Sequence, residues 1–242
     1  VNEFVVGEIQ PVADDIEEKK EGLLPSLLKK AGELGFLGAD IPEEYGGQDL
    51  DKVSSLLVWE KMAQGGGSYM ASFGAHTGIG SLPIVFFGTK DQKKRYLPKM
   101  ATGEIIGAYA LTEPEAGSDA LNSKTTAVLS PDSQYYILNG QKQFITNAGI
   151  AGTFVTYAKV DGDKFTSFIV ERNFEGVSLD EEENKMGVKG SSTRGVIYSD
   201  VKVPVENLLG EIGRGHIVAL NVLNIARFSL GAGCLGGGKS GL

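Results

Sequence analysis

The chain has 242 residues, 41% of them hydrophobic, with a formal net charge of −8 and a pI near 4.9. Without clustered Lys and Arg, that acidic balance excludes a non-specific binder of nucleic acid or anionic membrane. The apolar content is enough for one sizeable core or two smaller ones, which excludes disorder as the main state.

From Val1 to about Gly107 the apolar residues fall at helical spacing: Phe4, Ile9, Val12 and Ile16, then Leu23, Leu27, Leu28, Leu34 and Leu37. Pro42-Glu43-Glu44-Tyr45-Gly46-Gly47 interrupts them as a loop. Val53 to Met62 resumes the 3.6 period with Leu56, Leu57 and Trp59, where Trp59 reads most simply as core. Gly65-Gly66-Gly67 ends that helix, and Met70 to Phe87 reads as one helix whose Gly and Ala residues allow close packing. Asp91 to Met100 is an amphipathic connector with a solvated Lys93-Lys94-Arg95 face. After Gly107 the texture changes to β-branched and aromatic runs at Tyr135 to Leu138, Thr153 to Lys159, Phe165 to Val170 and Gly195 to Val203. Asn139-Gly140, Asp161-Gly162-Asp163 and Glu175-Gly176 read as turns between them. The helical period returns from His216 to Leu235. The expectation is an α+β chain with three parts: an N-terminal helical domain over 1–108, an antiparallel β domain over 109–212, and over 213–242 the first helix of a further helical domain.

No apolar run approaches the roughly 20 residues that span a bilayer, and no basic-then-apolar leader opens the chain. The expectation is a soluble protein that is not secreted and has no transmembrane segment. The single Cys234 excludes an internal disulfide, fits a reducing compartment, and reads as a small buried apolar residue. Starting at Val1 inside an amphipathic pattern and stopping at Leu242 after an apolar run, the sequence reads as a piece of a longer protein.

Two segments carry chemistry, Tyr109-Ala-Leu-Thr-Glu-Pro-Glu-Ala-Gly-Ser-Asp119 and Leu138-Asn-Gly-Gln-Lys-Gln-Phe-Ile-Thr-Asn147. In the first, Thr112 and Ser118 offer hydroxyls. Ala116-Gly117-Ser118 is small enough for main-chain N–H groups to reach an anionic ligand. In the second, strand alternation puts Phe144 and Thr146 on one face, one able to stack on a ring and the other to hydrogen-bond its edge. Taken alone, the same residues also read as turn, cap and core residues. His76 reads as a pocket-wall or hydrogen-bonded core residue and His216 as a helix N-terminal one, neither at metal spacing, so no metal is expected. Glu113 and Glu115, in a Pro-containing loop, are expected to face solvent or a helix end.

Together with Tyr45-Gly46-Gly47, the Phe87-to-Pro98 run, the Met186-to-Gly195 run and Asp200-Val201-Lys202-Val203-Pro204, these segments make the whole chain resemble the acyl-CoA dehydrogenases, with the long-chain and very-long-chain members nearest. The resemblance implies FAD as cofactor and α,β-dehydrogenation of a fatty acyl-CoA to its trans-2-enoyl-CoA in fatty acid β-oxidation. It also implies an electron-transferring flavoprotein as acceptor, a homodimer or homotetramer, and a bacterial cytoplasm or mitochondrial matrix. Flavin contacts are implied for the Tyr109 and Leu111 main chain, Thr112, Phe144 and Thr146, with Gly117 and Ser118 near the pyrophosphate. Ser118 and Ser191 would border the CoA arm, and small Gly74 and Ala75 would deepen the acyl pocket; Asn224 and Arg227, one helical turn apart, are candidates to border the substrate, with core-capping or surface roles equally open. Phe144 stands where the family usually has Trp. Ala226 stands where some members place the catalytic Glu before Arg227, so no catalytic residue is assigned here. The base is expected in a C-terminal part this chain lacks, and the chain alone is expected to be inactive. An oxidase relative that uses O₂, or a non-catalytic acyl-CoA or flavin scaffold, remains the alternative.

Overall fold

The computed structural model describes residues 1–242. Its helical part opens with α1 (Asn2–Phe4), a π-turn (Val5–Ile9), a 3₁₀-turn (Gln10–Val12) and α2 (Ala13–Glu17), followed by α3 (Leu23–Glu33) and α4 (Lys52–Met62). Asp51 starts α4 by accepting from the Val53 and Ser54 amides, which satisfies two of the orphan donors of a helix N-terminus. The region read as one helix is divided into α5 (Gly67–Gly74), a π-helical stretch (Ala75–Gly80) and α6 (Leu82–Phe87). Close packing against the sheet explains the division, since a side chain at Gly80 would meet the Gly107 main chain at 2.8 Å. Next, α7 (Lys90–Ala101) begins in a capping box between Thr89 and Gln92. The Gln92 side-chain amide also donates to the Glu206 and Leu208 carbonyls, both at 2.7 Å, and so ties α7 to the far end of the sheet.

The sheet contains β1 (Gly107–Ala110), β2 (Thr126–Leu129), β3 (Tyr135–Thr146), β4 (Thr153–Val160), β5 (Lys164–Glu171), β6 (Val177–Glu182), β7 (Thr193–Pro204) and β8 (Leu208–Leu209). Their order is β6-β7-β3-β2-β4-β5-β8, with β1 added on β4. Most pairings are antiparallel as expected, but β4 takes both β1 and β2 as parallel neighbours. Asn139-Gly140 is not a turn; it lies inside β3 at a register shift against β7. Glycine is needed there because φ is +152° and a Cβ would come within 2.5 Å of the Thr125 hydroxyl. Last comes α8 (Gly215–Ser240).

Three buried clusters result. One joins α3, α4 and α5 through Leu28, Trp59 and Phe73; one fills the sheet face under Phe154, Phe168 and Val196; one packs α6, α7 and α8 on Tyr109, Tyr157 and Ile169. At the sheet edge, Glu182 bonds Lys19, Ser192, Thr193 and Arg194, and so binds the N-terminal helices to the β part. Two helical stretches, Gly67–Phe87 and Gly215–Ser240, are long and apolar enough to cross a membrane by those criteria, contrary to the expectation from hydropathy. The first is 67% buried inside the protein, as a core helix is, and the second 22%.

Candidate functional site

Two surfaces meet at the end of β3. On one side α4, α5 with its π-helical extension, and α8 enclose a cleft of about 620 Å³. The size is that of a small-molecule site. Its lining is mostly apolar and includes Trp59, Met70, Ile79, Leu223 and Leu230, and it brings together Gly74, Ala75 and Arg227 with Thr146, which the sequence reading gave to the flavin. Asn224 is absent from that lining and instead accepts a hydrogen bond from the Arg227 guanidinium. Ala226 also faces the cleft, and no Asp or Glu does. Cys234 is exposed and lines the cleft, which corrects its reading as a buried residue: the face of α8 that carries it is not covered by the other helices.

On the other side, β3 ends in a bulge. Lys142 pairs with Val196 and Ile145 with Arg194, so β3 carries one residue more than β7 across that interval. Phe144 takes up the extra length in the left-handed region at φ 59°, and the residue is 56% exposed. A non-glycine residue held this way costs about 1–2 kcal/mol. An aromatic ring kept exposed at that cost is a candidate contact surface. The bulge, rather than simple alternation, therefore aims Phe144, while Thr146 beyond it remains half-buried at the cleft.

The 111–125 loop lies beside this bulge. The Gln143 amide donates to the Thr112 carbonyl at 2.8 Å, and the Lys142 ammonium to the Leu111 carbonyl at 3.3 Å. Thr112 is half-buried, Ser118 is exposed, and a Cβ built on Gly117 meets no atom within 4 Å, so the main chain there is open to a ligand. The Tyr109 side chain belongs to the core, with its ring 5.2 Å from that of Tyr157 and its hydroxyl donating to the Ala219 carbonyl of α8. Ser191 is buried, and the Lys185 ammonium holds its carbonyl at 2.6 Å and its hydroxyl at 3.4 Å.

The principal omission from the sequence reading is beneath the loop. Glu113 does not face solvent; it is buried and paired with the fully buried Lys142 at 2.7 Å. Its other donors are the Lys124 amide and the amide and hydroxyl of Thr125. Burial alone would raise the Glu113 carboxyl, but Lys142 and these donors outweigh it and hold the group below the usual carboxylate range. Burial pulls the Lys142 ammonium down to about 8, partly offset by Glu113, which leaves it charged at neutral pH. A signal was present in the sequence: Leu138, Gly140 and Lys142 share the inward parity of β3, and a lysine facing inward requires a buried anion. His76, also fully buried, bridges the Met100 carbonyl and the Gly107 amide at 3.0 Å each, which fixes its tautomer and makes it a core residue.

Residues 1–104 match the family described as acyl-CoA dehydrogenase, N-terminal domain, and residues 108–201 match acyl-CoA dehydrogenase, middle domain. The chain belongs to the acyl-CoA dehydrogenase family. It is 59% identical over 98% of its length to a probable acyl-CoA dehydrogenase of Bacillus subtilis, of which it covers 40%. A crystal structure of an acyl-CoA dehydrogenase complexed with FAD from Bacillus anthracis superposes with a TM-score of 0.95 at 56% identity, over 97% of this chain and 41% of that one. Identity is 39% both to a short-chain-specific acyl-CoA dehydrogenase of Clostridium acetobutylicum (98% of this chain, 62% of the relative) and to the very-long-chain-specific mitochondrial enzyme of Macaca fascicularis (97% and 38%). Overall identity therefore does not select an acyl length. The chain spans about two fifths to three fifths of these relatives' lengths.

Proposed function

We propose that this chain provides the flavin-facing and acyl-facing walls of an FAD-dependent acyl-CoA dehydrogenase acting on long-chain fatty acyl-CoA. The observation that carries the reading is the junction at Thr146, where an apolar cleft meets a ledge formed by an exposed ring and an open, hydroxyl-bearing loop. The residues present fit FAD. Phe144 offers an aromatic face to a planar ring, Thr112 and Thr146 offer hydroxyl donors for its polar edge, and the Gly117-Ser118 main chain lies open to a pyrophosphate. When bound, the flavin supplies the acceptor for a hydride from the β carbon of the substrate.

The chain's own residues then have definite tasks. The cleft walls bury the alkyl chain and exclude water. Arg227, oriented by Asn224, gives the otherwise apolar wall one cation. Glu113 and Lys142 keep the Leu111 carbonyl and the 112–125 segment in place. The α proton requires a carboxylate, and with Ala226 in the wall and no acid in the lining, we assign that base to a residue outside the walls described. Ser118, exposed on the open loop, is the chain's contribution beside the CoA arm, whereas Ser191 is buried under the Lys185 ammonium. Family membership alone supports an electron-transferring flavoprotein as acceptor, a homo-oligomeric assembly, and a bacterial cytoplasm or mitochondrial matrix as the compartment.

The test is the near-ultraviolet and blue absorbance of the purified whole protein, followed by anaerobic addition of a long-chain acyl-CoA. Flavin bands that bleach support the proposal. Flavin that stays oxidised favours a binding scaffold, and a colourless protein contradicts the cofactor assignment.

A further inference from the structure

The glycines that should deepen the acyl cleft do not leave empty space. A Cβ built on Gly74 meets Cη2 and Cζ3 of Trp59 at 2.8 and 3.0 Å, and one on Gly78, a turn further on, meets Cζ2 at 3.5 Å. The six-membered ring of Trp59 therefore lies along the groove that Gly74 and Gly78 open in the helix wall. It is fixed there. Phe73 packs against it edge-on at 6.1 Å, and the indole is 93% shielded from solvent, leaving only the part that lines the cleft. The α8 part of the lining includes small residues at Ala226, Gly233 and Gly237, and Trp59 is the bulkiest side chain in the whole lining. It is also the only aromatic one.

We propose that Trp59 is the stop that sets the longest acyl chain the cleft takes, and that Gly74 and Gly78 are glycine to seat this indole rather than to lengthen the pocket. The inference rests on the cleft being the acyl site. An alkyl chain entering past Thr146 gains apolar contact with each methylene until it reaches the ring; further methylenes find no room to be buried and add nothing.

The test is calorimetric binding of saturated acyl-CoAs of increasing length to the whole, flavin-loaded protein, comparing wild type with W59A, W59L and W59F. Wild type gains roughly 4-fold in affinity per methylene up to a limiting length and then levels off. In W59A and W59L the gain continues, again roughly 4-fold per methylene, to longer chains. W59F keeps a ring in the groove and levels off close to wild type. W59L retains apolar volume if W59A fails to fold, and its melting temperature shows whether it is native. A native W59L with the wild-type limit overturns the proposal. Wild-type protein that binds no acyl-CoA of any length overturns the functional reading itself, whereas a W59L result alone leaves that reading standing.

Discussion

Replacing Lys142 with Met removes a cation from a fully buried site and leaves Glu113 charged beneath the loop that carries Thr112 to Ser118. Breaking a buried pair by deleting one partner costs about 3–5 kcal/mol, because the remaining charge loses its counterion without regaining water. Glu113 keeps three donors from Lys124 and Thr125, which places the expected loss near the lower figure, about 3 kcal/mol. For a chain of this size that lowers the melting temperature by about 6–12 °C. The double variant E113Q/K142M restores most of the loss, since the buried charge is removed with its partner. Urea denaturation monitored by far-ultraviolet circular dichroism, with the slope on denaturant unchanged, measures both values. The pair also predicts an acid limb. The Glu113 carboxyl is depressed in the fold, so its stabilisation is complete above the unfolded value of 4.5 and is lost as pH falls through the lower folded value. In E113Q that limb is shallower. A K142M loss below about 1 kcal/mol, or a double variant as unstable as the sum of the singles, would refute the buried-pair reasoning.

Three further outcomes are expected. His76 is held neutral, its value lowered to about 4 by burial, against 6.5 when unfolded. The unfolded chain therefore binds the extra proton first, and about 3 kcal/mol of stability is lost as pH falls from 6.5 towards 4, a loss that H76Q should not show in pH-dependent denaturation. Gly74→Ala forces a methyl group against Trp59 and costs about 1–3 kcal/mol; combined with W59L the cost falls close to zero, which differential scanning calorimetry of the four proteins would reveal or deny. Phe144→Gly relieves the left-handed backbone, so the flavin-free protein is at least as stable as wild type in urea, while on the proposed stacking the flavin Kd rises by roughly 2–10-fold. Unchanged flavin affinity would remove Phe144 from the cofactor contacts.

The sequence carried the architecture where one physical signal dominated. Leu23, Leu27 and Leu28 recur at helical spacing, and α3 buries Leu24, Leu27 and Leu28. The β-branched run from Thr153 is a strand buried along almost its whole length. It misled where the cause of a residue's presence lay across space rather than along the chain. Asn139-Gly140 has the composition of a turn, yet Gly140 is small because Thr125, just before β2, packs against it. Gly74 and Gly80 resemble tolerated helix glycines, yet a Cβ on the first would meet Trp59 and one on the second the Gly107 main chain. Phe144 and Lys142 each break the rule of their own strand, one by a positive φ and the other by a buried charge. These exceptions are not scattered. Phe144 and Lys142 flank the 111–125 loop, while Gly74 and Trp59 form one wall of the cleft. Local strain and burial are tolerated there because a stable scaffold on both sides holds them. That is the pattern expected when a fold gives up local consistency to shape a site.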